Sequence, residues 1–191
     1  VDSTPLNTGS KEGVMTKLEE RRGKKLHWSI CDLHTNELGL RHLFETVDGP
    51  TSGSNSFKGQ IGKSLSSAEK LEWNRSFEPI TGGPSYPNLS KEVLSDLSTD
   101  QKYLFYAGKS VCEGMIDPHI LTTKPGPICH SRWLTLACRL LLVYLSLHSF
   151  KGAVKKNLSL LIQYVVTNYI PSWFQIKTTP YLSHAAHHVL F

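Results

Sequence analysis

Several familiar chemistries are missing from this chain. Cysteine is sparse: Cys31, Cys112, Cys129 and Cys138 are the four in 191 residues. No secretory apolar segment precedes them, so reduced thiols are expected, and with them a nuclear or cytoplasmic protein rather than a secreted one. No Gly-x-Gly-x-x-Gly is present, and no Gly-x-Ser-x-Gly nucleophile elbow. Gly59-Gln60-Ile61-Gly62-Lys63-Ser64 mimics the end of a phosphate-binding loop, but the full spacing needs glycine where Phe57 stands. The longest apolar run, Leu134 to Leu147, is interrupted by Arg139 and falls short of the ~20 residues that span a bilayer. It reads as a buried helix, and no membrane partner is expected.

Charge is also modest. Charged residues make up 19% of the chain and the net charge is +5. That excess favours polyanions through counterion release without specifying one. The densest charged stretch, Glu19-Glu20-Arg21-Arg22-Gly23-Lys24-Lys25, is mixed in sign and does not form a basic arm. Three glycosylation sequons, at Asn74, Asn88 and Asn157, read as chance in a chain without an export signal. The start at Val1-Asp2-Ser3, running into Thr4-Pro5, has the look of a fragment that begins at the end of a missing strand.

What is present falls into three zones. In residues 1–48, Ser10 to Gly23 has helical spacing with Gly23 as C-cap, Leu26 to Ile30 is a strand candidate, and Leu33 to Val47 is a helix. The stripe of that helix holds Leu33, Glu37, Leu40, Phe44 and Val47. Glu37, Glu45 and Asp48 read as solvated charges rather than as an acid pair. Residues 49–97 form an irregular connection rich in Ser, Gly and Pro, with one short helix between Phe57 and Leu65. Residues 98–191 read as helical. Ser98-Thr99-Asp100-Gln101 is a capping box for a helix ending at Gly114. Ser131 to His148 is apolar nearly all round and therefore central. Ala153 to Ile170 is amphipathic, with Pro171 expected to end it, and Ser183 to Leu190 is a weak helix candidate. The expected fold class is α/β, mostly helical: a partial β-α-β-α unit followed by a helical bundle.

Cys31-x-x-His34, at the head of the second helix, carries the most information. On spacing alone it is half a zinc site, which Cys129-His130 or His184, His187 and His188 would complete. Adjacent residues such as Cys129 and His130 do not normally both aim at one ion. The favoured reading is a buried cysteine beside a hydrogen-bonded histidine that braces the helix.

Three separated pieces together resemble the hAT superfamily of DNA transposases. They are Asp2-Ser3-Thr4-Pro5-Leu6-Asn7, Cys31-Asp32-Leu33-His34-Thr35-Asn36-Glu37-Leu38, and Ser131-Arg132-Trp133, in that order. The resemblance covers about Val1 to Leu147. It implies an RNase H-like catalytic domain in which two Asp and one Glu hold two Mg2+ ions for DNA strand cleavage and transfer. By motif position Asp2 becomes the second of those carboxylates, a Mg2+ ligand and catalytic residue only alongside carboxylates missing from this chain. Cys31 and His34 become structural or DNA-positioning groups. Arg132 and Trp133 open a helical insertion, with Trp133 shaping a site for flipped or hairpinned DNA. Read as residues alone, Arg132 is a surface group and Trp133 belongs to the core. The resemblance also implies strands before Val1 and a distal Glu that no residue here supplies. The expectation is a degenerate copy or fragment of a transposase, inactive as this chain, with DNA as partner and oligomerisation through the helical half. A non-catalytic domesticated interaction or nucleic-acid-binding domain, less readily a zinc-stabilised one, is the competing expectation.

Overall fold

The structure is a computed structural model, and it describes residues 6, 9–26, 32–52, 56–81, 86–128, 133–146 and 150–179. Among these, nine α-helices follow one another: α1 Val14–Arg22, α2 Asp32–Asp48, α3 Gln60–Ser64, α4 Lys91–Asp96, α5 Thr99–Glu113, α6 Pro118–Thr122, α7 Leu134–Leu145, α8 Gly152–Tyr164 and α9 Ile170–Thr178. A 3-10 turn, Ala68–Lys70, follows α3, and a π turn, Val165–Tyr169, joins α8 to α9.

Local signals set the helix ends. Gly23 takes the left-handed conformation (φ 64°) that closes α1, and Gly114 (φ 72°) closes α5 with its N–H on the Ser110 carbonyl at 2.9 Å. The Ser98–Gln101 capping box is present, with the Ser98 N–H donating to Gln101 Oε1 at 3.0 Å. Helix α3 has a remote cap. The Asp48 carboxylate, at the end of α2, accepts the N–H groups of Ile61 at 3.0 Å and Gly62 at 2.7 Å. These are the donors that a phosphate would otherwise take, so the loop-like sequence around Gly62 is already satisfied.

Helix α7 is the hub. All of it except Leu134 and Tyr144 is buried, as a helix apolar all round must be. It packs along α5 and α8, and the 3-10 turn rests against it. Helix α2 lies across α8, the π turn and α9, burying Leu40 and Phe44 completely. At Gly39 the two helices meet closely: a Cβ there would collide with the Tyr164 hydroxyl. Asn157 Nδ2 donates to the Val47 carbonyl at 2.7 Å, tying α8 to the end of α2.

Three expectations need correction. First, the described residues contain no β-sheet, only two isolated bridges, Thr51 with Phe57 and Trp73 with Ser146. A strand needs a partner ladder, and the described residues offer helix and loop instead, so no β-α-β-α unit forms among them; of the strand candidate, Leu26 is irregular and 27–30 lie outside the described residues. Second, Pro171 does not end the third long helix. Its ring crowds the carbonyl four residues back, and the chain widens into the π turn, where the Ile170 N–H reaches the Val165 carbonyl, before α9 continues through it. Third, Glu37 is buried rather than solvated, and Asp48 is a cap. Within residues 49–97 lie α3, the 3-10 turn and α4. The candidate helix at 183–190 lies outside the described residues.

Candidate functional site

Of the residues singled out by motif, Asp2, Cys31 and Arg132 lie outside the described residues, as do Cys129, His130 and the three C-terminal histidines of the zinc reading. His34 and Trp133 are described, and the fold does not bring them together. His34 sits in the first turn of α2, partly buried. Trp133 immediately precedes α7, and its ring meets Phe44 edge-on at 5.9 Å, with Phe57 on Phe44 in the same manner at 5.5 Å. Phe44 is ten residues beyond His34 on one helix, roughly 15 Å along its axis. Trp133 is therefore engaged in core packing, as its residue-level reading predicts.

The acidic groups have tasks of their own. Asp48 caps α3. Asp100 Oδ1 accepts the Gly126 N–H at 2.7 Å. Glu69 meets Arg139 Nη2 at 2.5 Å. Arg139, in the middle of apolar α7, also donates from Nε to the Gly126 carbonyl and from Nη1 to the Leu65 carbonyl, both at 3.0 Å. One buried guanidinium thus ties α7 to the turn after α3 and to the 123–128 segment. No group of three His, Cys, Asp or Glu able to hold a metal occurs among the described residues.

The described thiols suit packing better than reactivity. Burial pushes the Cys138 thiol well up, helped by the nearby Asp100, and the thiol reaches the Asp100 carbonyl at 3.4 Å. Cys112 is pushed up to about 11, by burial first and Glu113 second. At neutral pH both stay protonated, which makes them poor nucleophiles and poor metal ligands. The Tyr103 and Tyr169 hydroxyls are fully buried without a hydrogen-bond partner among the described residues. Burial raises both, with Cys138 adding to Tyr103 and Glu37 adding to Tyr169.

Sequence reasoning missed a surface cleft. Residues 73–80 run along the bundle with a turn at Arg75–Ser76, where the Ser76 N–H donates to Asn74 Oδ1 at 3.0 Å. The Asn74 N–H donates to the Leu145 carbonyl at 2.8 Å, the Tyr144 hydroxyl to the Glu78 carbonyl at 2.7 Å, and the Ile80 N–H to the Val111 carbonyl at 3.1 Å. Between this segment, the end of α7 and the start of α8 lies a half-open cleft of about 210 Å³. Phe77, Tyr144 and Phe150 give it aromatic walls, while Asn74, Ser76 and Lys155 supply polar groups. No sequence signal marks it, because one wall comes from residues 74–78 and the other from residues 143–159, far apart in the chain. No family model, curated protein or solved structure matches this chain.

Proposed function

We propose that this chain is a helical, DNA-binding remnant of a hAT-like transposase, ancestrally a metal-dependent enzyme of DNA strand cleavage and transfer, and inactive in cleavage as this chain. The observation that carries the reading is the position of Trp133. It stands at the head of the central helix of a half whose described residues are mostly helical, where the resemblance expects an Arg-Trp pair to open a helical insertion. The order of the three motif segments and the net charge of +5 add support. The RNase H-like core belongs to this reading as ancestry.

The described carboxylates do not fit a two-metal clamp. Asp48, Asp100 and Glu69 are each held by a specific hydrogen bond or ion pair, and Glu37 is buried within the helix packing. The described residues instead hold a rigid bundle whose surface meets its partner. Oligomerisation through the helical half belongs to the same reading, and the exposed Met115, before α6, and Leu121, within it, offer apolar surface for it.

The test is a plasmid-nicking assay with the purified chain in Mg2+, beside a binding titration of the same preparation. Binding without nicking is expected. Mg2+-dependent nicking that Asp2→Ala abolishes would sink the assignment of an inactive remnant.

A further inference from the structure

We propose that the cleft between residues 74–78, the end of α7 and the start of α8 binds a small zwitterion, a free α-amino acid with an apolar side chain. The site does not depend on the DNA-binding reading, and either can fall without the other.

Charge points to a zwitterion. One cation, Lys155, and one anion, Glu78, line the cleft, and both residues are exposed. Neither is paired with the other or with any other described residue: the described ion pairs all lie elsewhere. A ligand of one sign gains from one of these groups and loses to the other, so a nucleotide or a polyamine is not favoured. A molecule carrying an ammonium and a carboxylate gains from both, through charge-assisted hydrogen bonds. Two neutral groups beside them are also uncommitted among the described residues. Asn74 takes the Ser76 N–H on Oδ1 at 3.0 Å, which leaves its amide NH2 group to donate, and the Ser76 hydroxyl has no partner there.

Size and lining narrow the class. At about 210 Å³ the cleft is smaller than the ~300 Å³ at which pockets for drug-sized ligands begin, so it suits one amino acid rather than a peptide. Phe77, Val143 and Leu158 belong to the buried core and line the cleft, so they give the ligand's side chain an apolar floor. The hydrogen bonds of Asn74, Tyr144 and Ile80 fix one wall before binding, which limits the ordering entropy spent.

The experiment is an amide NMR titration of the full chain with L-leucine, L-leucinamide and N-acetyl-L-leucine. Leucinamide keeps the ammonium and lacks the carboxylate; N-acetyl-leucine is the reverse. Leucine is expected to move the amide signals of residues 74–78 and 143–146. Each blocked analogue is expected to bind roughly 3- to 10-fold more weakly, the worth of a hydrogen bond to a charged group reduced for an exposed site. Lys155→Met should erase the advantage of leucine over leucinamide and leave that over N-acetyl-leucine; Glu78→Gln should do the opposite. Lys156→Met, next door but not lining the cleft, should change leucine binding less than about twofold. Each variant is checked for an unchanged melting curve. Equal binding of the three compounds, or equal effects of the two lysine variants, overturns the proposal. So does a lack of movement at these amides with leucine, valine and phenylalanine alike.

Discussion

Replacing Arg139 by alanine should be among the most damaging single changes in the described bundle. The side chain is 6% exposed and makes three polar contacts, to the Leu65 carbonyl, the Gly126 carbonyl and Glu69. Truncation leaves the Leu65 carbonyl buried without its partner, at about 1–3 kcal/mol. Breaking a fully buried ion pair costs ~3–5 kcal/mol, but the Glu69 side chain is 29% exposed and regains water, so that part is smaller here. Lost packing of the aliphatic stem adds to it. The sum is about 3–4 kcal/mol, or roughly 6–16 °C in melting temperature for a chain of this length. Urea unfolding followed by circular dichroism reads the change directly. Glu69→Gln, which keeps an acceptor for Nη2, should cost about 1 kcal/mol or less. An Arg139→Ala loss below about 1 kcal/mol, or a larger loss for Glu69→Gln than for Arg139→Ala, would refute the clamp.

Three further outcomes follow from the same packing. Tyr169→Phe removes a buried hydroxyl that lacks a partner among the described residues, so stability should stay level or rise by up to about 1 kcal/mol; a loss above that in urea unfolding would mean the hydroxyl is hydrogen-bonded. Gly39→Ala drives a methyl into the Tyr164 hydroxyl and should cost about 1–3 kcal/mol, with Tyr164→Phe recovering part of it in a double-mutant cycle; additive losses would contradict the contact. The Cys112 thiol is raised in the folded chain from 9.0 to about 11, so the folded state holds its proton more tightly than the unfolded state. Its contribution to stability is complete below pH 9 and is lost as pH rises towards about 11. Cys112→Ser should therefore flatten the fall in urea midpoint across that window, and an unchanged slope would contradict the shift.

Signals confined to one turn of chain were readable in advance. Gly23, Gly114 and the Ser98–Gln101 box end or start helices as their chemistry requires. The stripe through Leu40 and Phe44 also points inward as its spacing says. Glu37 sits on that stripe, and its position proved a better guide than its charge. The same holds for Arg139 within an apolar run. What the sequence did not reveal is partnership across distance. Arg139 finds Leu65 across 74 positions and Glu69 across 70, and Asp48 caps a helix 13 residues on. No local pattern encodes such pairings. Pro171 misled for a related reason: a proline blocks a regular helix, but a π turn absorbs it when neighbouring helices supply partners. Here Asn36 Nδ2 donates to the Tyr169 carbonyl at 3.0 Å. The cleft is likewise a product of tertiary structure, assembled from segments around 74–78, 143–146 and 150–159.

The proposal that the bundle binds DNA is the one on which the functional reading depends. Its most direct test is the affinity of the full chain for single-stranded DNA between about 50 and 200 mM salt. If charge drives the binding, log K should fall linearly with log salt through counterion release. No binding at the lowest salt, or binding indifferent to salt, would contradict the account.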